Sequence, residues 1–141
     1  MNKKGYIFCE IARGEVEANV VYEDEASIAF LDTQPIARGH VLVIPKQHYD
    51  DIFEIEVRQL EKLILASRTV AFRLRDRLQA DGVNLFHRSG EAAEQTVFHF
   101  HIHVIPRKEG DHIHFNEWWA TKAISSNKPG LEQLAAELRK T

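Results

Sequence analysis

The sequence predicts an α+β fold: a mostly antiparallel sheet of about five strands, one long helix lying on a face of it, and a short C-terminal helix. Three observations predict it. Short aliphatic runs bounded by turn residues recur on both sides of a single long amphipathic stretch, Glu56 to Leu78. From Gln95 to Arg107 histidine and large apolar residues alternate with the period of a strand, whose successive side chains point to opposite faces. Near the end, Leu131, Leu134, Ala135 and Leu138 recur at helical spacing.

Taken in order, Ile7 to Gly14 reads as a short helical turn closed by Gly14, a lid over one end of the sheet. Asn19 to Glu23 and Ser27 to Asp32 read as strands joined by a turn at Asp24-Glu25, a hairpin. Pro35 and Gly39 bracket a loop. His40 to Ile44 is nearly all apolar, the pattern of a central strand, and Pro45 ends it. Asp50 and Asp51 suit the start of a helix. In the long helix Val57, Leu60, Ile64, Leu65, Val70, Ala71, Leu74 and Leu78 make the apolar stripe, with Arg58, Glu61, Lys62, Arg68, Arg73, Arg75 and Arg77 on the wet side. Asp81-Gly82 turns the chain into a fourth strand, Val83 to His87, and Ser89-Gly90-Glu91 loops into the fifth. There Phe98, Phe100, Ile102 and Val104 face a core, while His99, His101 and His103 stand in a row on the other face. Pro106, which has no backbone donor, ends the ladder. Beyond Arg107 comes an arm in which His112 and His114 repeat the alternation beside Trp118 and Trp119, then a helix from about Gly130 to Arg139 started by Pro129-Gly130. The expected organisation is one domain, residues 1–141, with its core at about 7–107 and the arm and last helix at 108–141.

Composition narrows the function. A net charge of -3 supplies no global field for nucleic acid, so any phosphate has to be held by a few local groups. The single cysteine, Cys9, cannot close an internal disulfide. The basic start Met1-Asn2-Lys3-Lys4 is not followed by an apolar signal core, and no run approaches the length of a membrane span. The expectation is a cytoplasmic protein with no membrane partner.

Three histidines in register admit two chemistries. Alternate imidazoles on a strand can hold a transition metal. Alternatively, a neutral imidazole can attack phosphorus while its neighbours fix tautomer and orientation.

The run Gln-x-Val-x-His-x-His-x-His followed by two aliphatics, together with Ala37-Arg38-Gly39-His40-Val41-Leu42-Val43-Ile44-Pro45-Lys46, resembles the histidine triad (HIT) family of nucleotide hydrolases and transferases, and the resemblance extends from about Ile7 to Arg107. It implies the same α+β architecture and a homodimer in which two sheets meet edge to edge with the long helices in contact. It places a nucleophile at His101, which would form a nucleotidyl-histidine intermediate at the α-phosphate of a purine nucleotide or nucleotide conjugate. His99 would buttress it, His103 would face the phosphate or leaving group, and His40 would help to orient the row. Gln95 and Thr96 would lie near the phosphate, Asp32 would accept from ribose hydroxyls, and Phe8, Ile11 and Phe30 would wall the base. Without the resemblance, Asp32 is a turn former and the three apolar residues are ordinary core.

Two positions depart from the family pattern. Arg88 stands where an asparagine usually helps to bind phosphate, and it would make a charged clamp. Glu94 stands where glycine is usual. A carboxylate beside phosphate repels it unless it points away, and the departures at Arg88 and Glu94 together motivate an alternative reading as a nucleotide-binding adaptor or sensor with little turnover. A zinc-binding subset of the family uses a Cys-x-x-Cys pair and two histidines. Here Tyr6 replaces the first cysteine, leaving Cys9, His48 and His99, and closed structural zinc sites use four ligands, so neither a metal nor another cofactor is expected. His87, His112 and His114 match nothing in the family and default to surface or arm positions.

Overall fold

The structure is a computed structural model that describes residues 6–141, so the basic start Met1 to Lys4 lies outside the described residues. The described chain forms two compact units, one ending at Glu109 and the other running from Gly110 to Thr141. The first contains α1 (Tyr6–Ala12), β1 (Val20–Glu23), β2 (Ser27–Leu31), β3 (Val41–Pro45), α2 (Val57–Leu78), β4 (Gly82–Phe86), a 3-10 turn (Glu91–Ala93) and β5 (Ile102–Arg107). The second contains α3 (Phe115–Lys122) and α4 (Lys128–Leu138). The five strands form one antiparallel sheet in the order β1-β2-β3-β5-β4, which is the α+β class expected.

Local chemistry accounts for the elements. The β1–β2 turn is closed by Asp24, whose Oδ1 accepts from the backbone N–H groups of Ala26 and Ser27 at 2.9 and 2.7 Å. β3 is buried on both faces, as its unbroken apolar run requires. One face joins α2: Val41, Val43, Ile102 and Val104 pack with Leu63, Ala66, Val70 and Leu74 of the helix and with Phe100. The other face joins α1: Leu42, Ile44, Ile28 and Phe30 pack with Phe8 and Ile11. His103 pairs with Leu42 across the ladder, so it belongs to the α1 side of the sheet.

Several expectations are corrected. The buried stripe of α2 is Leu63, Ala66, Ser67, Val70 and Leu74, while Val57, Ile64 and Leu65 are exposed. Ser67 masks the pattern in the sequence; it is buried because its hydroxyl donates to the Leu63 carbonyl at 2.9 Å. Asp50 and Asp51 do not cap α2. Asp51 accepts from Phe53 and Glu54 N–H in the preceding turn, and Asp50 bonds His48. Pro106 does not end the ladder but sits inside β5, opposite Val83. Its other flank faces Gly39, ahead of the start of β3, where no ladder acceptor waits for a donor. Gly39 takes a φ of +97, where any other residue is strained, and a Cβ there would lie 2.5 Å from the end of the Leu78 side chain, which would have to shift.

The second unit also differs from the reading. The His112–His114 alternation is not a strand, since His112 takes a left-handed φ of 62, and the tryptophans lie on α3, a helix the sequence reading did not foresee. α4 starts two residues before Gly130. Asn127 caps it by accepting from Gly130 N–H at 2.8 Å, and Pro129 occupies the first turn, where a missing donor costs nothing.

Candidate active site

The regular ladder of β5 begins only at Ile102, so His103 alone of the three histidines is a ladder residue. The expected uninterrupted strand is therefore corrected over residues 97–101. The cause is Pro45, which ends β3 and offers no N–H to a partner there. In place of a ladder, Phe100 N–H donates to the Tyr49 carbonyl at 2.6 Å, and side chains hold the rest. The alternation of environment survives in part: Phe100, Ile102 and Val104 are buried against α2, whereas Phe98 is only half-buried.

All three triad rings and His40 are buried, and their partners fix where the protons sit. His101 Nδ1 is 2.7 Å from the His99 carbonyl. A carbonyl only accepts, so Nδ1 carries the hydrogen and the lone pair is left on Nε2. His40 Nδ1 accepts from Ile36 N–H at 3.2 Å, so its proton is on Nε2, which donates to His103 Nδ1 at 2.9 Å. That puts the His103 proton on Nε2, a buried atom with no hydrogen-bond partner. His99 Nε2 donates to the Pro45 carbonyl at 2.8 Å. Burial is the main cause that pushes His99 and His103 down to about 4 and that lowers His101 and His40 from the usual imidazole value. At neutral pH the row is uncharged.

Around it, Phe8 stands edge-on to His101 at 5.3 Å, to His99 at 6.0 Å and to Phe30 at 5.5 Å between ring centroids. Ile11 lies in the same apolar cluster. Asp32 forms a turn, its Oδ1 accepting from Gln34 N–H at 2.9 Å, and its Oδ2 lies 3.5 Å from His40 Nε2. Arg88 and His103 both lie against Phe86, with the guanidinium 5.7 Å and the imidazole 5.6 Å from that ring. Arg88 Nε, like His103 Nε2, is buried without a hydrogen-bond partner. Two buried donors left unpaired on one aromatic ring suit an anion.

Gln95 sits differently from the role the resemblance gave it. Its amide donates to the Asp50 and Val97 carbonyls at 2.6 and 3.1 Å, and its Oε1 accepts from Gly90 N–H at 2.8 Å, so no amide hydrogen is left for a phosphate. It braces the loop instead. Thr96 is exposed. Glu94 is exposed and takes a left-handed φ of 66, the conformation that glycine adopts without steric cost, which accounts for glycine being usual there. Glu94→Gly should therefore stabilise the fold by about 1 kcal/mol, read as a rise in the midpoint of urea unfolding; an unchanged or lower midpoint would count against strain at this position.

The triad does not form one metal site. Among the described residues, the clusters of donors close enough to share an ion divide it: His99 falls with Cys9 and His48, His103 with Asp32 and His40, and His101 in neither. The first cluster fits zinc in its chemistry. Cys9 Sγ lies 3.2 Å from His48 Nδ1 and 3.5 Å from His99 Nδ1, and the two Nδ1 atoms are 3.2 Å apart. Both histidines direct their Nε2 protons elsewhere, His99 to the Pro45 carbonyl and His48 to Asp50 Oδ1 at 2.7 Å. Two lone pairs thus converge on a thiol, the arrangement in which second-shell acceptors prepare histidines for a cation. The three donors that the sequence reading judged an incomplete set are brought together.

His87 is not a surface residue by default. It is half-buried, its Nδ1 is 2.9 Å from the His101 carbonyl, and its ring stacks on Phe100 at 4.2 Å.

The family model described as the HIT domain matches residues 13–110. The chain is 36% identical to "Protein hit" of Bacillus subtilis over 135 residues, covering 95% of this chain and 92% of that one. It is 34% identical to the adenylylsulfatase HINT3 of Arabidopsis thaliana over 132 residues, 94% of this chain and 64% of that protein. The crystal structure of a zinc-bound histidine triad family protein from Mycobacterium smegmatis superposes with a TM-score of 0.74 at 41% identity, covering 77% of this chain and 79% of that chain.

Proposed function

This chain belongs to the histidine triad (HIT) family, and from that premise we propose that it is a nucleotide-binding hydrolase which cleaves a phosphoramidate or phosphoanhydride bond at the α-phosphate of a purine nucleotide. The observation that carries the reading is the His101 ring: buried, uncharged at neutral pH, and held by its Nδ1–H on a backbone carbonyl so that Nε2 keeps its lone pair. A relative that is an adenylylsulfatase supports hydrolysis at such a centre.

In this mechanism His101 Nε2 donates its pair to the α-phosphorus, forming the N–P bond as the bond to the leaving group breaks; that group departs with the bonding pair and a proton, which the proton shed by the attacking water of the second step replaces. The Nδ1–H to the His99 carbonyl then bears the charge that develops on the ring. His103 Nε2–H and Arg88 supply the donors for the phosphate oxygens or the leaving group. Water attacks the nucleotidyl-histidine from the side the leaving group vacated, breaks the N–P bond and returns the pair to Nε2. Phe8, Ile11 and Phe30 wall the base, Asp32 accepts from ribose, and Thr96 is accessible at the phosphate end. A zinc ion would be held by Cys9, His48 and His99, where it would brace α1 against the triad segment; it supplies no step of the reaction.

The whole chain acts as one domain and as a homodimer in the cytoplasm. β4 ends the sheet, and α2 exposes Val57, Ile64, Leu65 and Phe72, a second apolar face that a partner would cover. No helix of the described residues is long and apolar enough to cross a membrane. The adaptor reading draws on Gln95, whose engaged amide leaves one donor fewer for the phosphate.

Rapid quench of the enzyme and a radiolabelled adenylate conjugate into alkaline denaturant, which preserves the acid-labile N–P bond, followed by mass spectrometry at alkaline pH, should find nucleoside monophosphate attached to His101. Tight nucleotide binding by calorimetry with no adduct and no product across a panel of conjugates would replace hydrolysis with the adaptor.

A further inference from the structure

We propose that His87 is a positioning residue for the reaction: its side chain replaces the missing ladder partner of His101 and fixes the peptide from which the nucleophilic ring hangs. The inference rests on the reading of His101 as nucleophile.

β4 ends at Phe86, which pairs with His103. Continued in register, the antiparallel ladder would bring backbone to His101 two residues further on. The chain leaves the sheet instead, and among the described residues no strand partner reaches the His101 carbonyl. The side chain of the residue directly after β4 takes that place. His87 Nδ1 lies 2.9 Å from the carbonyl, so Nδ1 carries the proton. Its Nε2, 2.5 Å from Ser89 Oγ, is then an acceptor for the serine hydroxyl. Ser89 Oγ in turn accepts from Ile52 N–H at 2.9 Å. Every proton in the chain from Ile52 through Ser89 and His87 to His101 runs one way, and every partner is satisfied.

The second contact is stacking. The His87 ring lies on Phe100 at 4.2 Å with 27° between planes, and Phe100 is itself fully buried. His87 thus grips the peptide after His101 by a hydrogen bond and the residue before it by its ring. On the opposite side the His101 ring is held by its own Nδ1 bond to the His99 carbonyl. The two bonds together set the direction of Nε2. With only one of them, the 101–102 peptide can rotate and carry the lone pair away from the line of attack, and misplacement on the order of 1 Å is enough to slow a reaction heavily. The same loop carries Arg88, so the relay also ties the anchor of the nucleophile to the proposed phosphate clamp.

Two variants separate the contacts. H87F keeps a ring for Phe100 and removes the donor. H87N keeps a side-chain N–H near the position of Nδ1 and removes most of the stacking. With adenosine 5′-phosphoramidate as substrate, H87F should lose roughly ten- to a hundredfold in kcat at little changed KM, and H87N should recover to within about threefold of wild type. Imidazole nitrogen NMR gives a readout apart from turnover: the single Nδ1–H form of His101 in the wild type should become a mixture of tautomers in H87F. Wild-type kcat in H87F, equal losses in both variants, or an unaltered His101 tautomer in H87F would each overturn the role. H101A assayed in parallel tells the two failures apart, because turnover that survives in H101A sinks the nucleophile and not the His87 bond.

Discussion

His101→Ala should abolish release of nucleoside monophosphate from an aminoacyl- or lysyl-adenylate analogue, a loss on the order of 10⁴-fold or more in kcat if the ring is the nucleophile. The size follows from what the position supplies. No neighbouring group can take over the attack. His99 has Nε2 on the Pro45 carbonyl and Nδ1 turned toward Cys9 and His48, and His103 has Nδ1 on His40 and a proton on Nε2. Each neighbour therefore lacks a free lone pair directed at the site. Nucleotide affinity should survive within a few-fold, because the proposed binding contacts of Arg88, Asp32 and the Phe8–Phe30 wall are untouched. Calorimetry alongside turnover checks both parts. Product release by H101A at anything near the wild-type rate would end the nucleophile assignment, whereas loss of binding together with turnover would point to a damaged pocket.

The parts of this site that could be read from sequence are those governed by period and by long motifs. The alternation from Gln95 to Arg107 located the histidines, and the apolar run after His40 identified the central strand beside them. Period says nothing about where a ladder stops. Pro45 truncates β3, and the truncation turns His99 and His101 out of a strand and into a segment held by side chains, which no spacing rule encodes. The α2 stripe failed for a related reason: Ser67 is polar by type yet apolar in effect once its hydroxyl bonds the preceding turn. His87 was missed because its partner is a backbone carbonyl fourteen residues away, and a carbonyl has no sequence signature. Its one local signal was position, a histidine at the end of the expected strand and two residues before a serine. Cys9, His48 and His99 were visible as residues, but only coordinates could bring their donor atoms together.

Acid should destabilise the fold well before its carboxylates titrate. His103 is held down to about 4, and His40 is lowered as well, chiefly by burial. In the unfolded chain both return to about 6.5. Between those values the unfolded state binds more protons than the native state, so stability rises with pH across the interval and falls as pH drops through it. Above the unfolded value neither state is protonated and the contribution is fully present. Below the folded value both states are protonated and it is gone. A shift of this size is worth roughly 3 kcal/mol at full burial and about 2 kcal/mol for a ring that retains some contact with solvent. Urea midpoints measured at constant ionic strength should be level from pH 8 to 7 and then decline steeply from about 6.5 to 5, a range in which ordinary Asp and Glu stay ionised. His103→Asn keeps a buried donor and cannot titrate, so it should make that decline shallower by the share of His103, leaving the part that His99, His101 and His40 contribute. A midpoint that is constant from pH 7 to 5, or one that declines equally in the wild type and His103→Asn, would mean that the His40–His103 pair is not held neutral, and the proton on His103 Nε2 that the mechanism needs would have no basis.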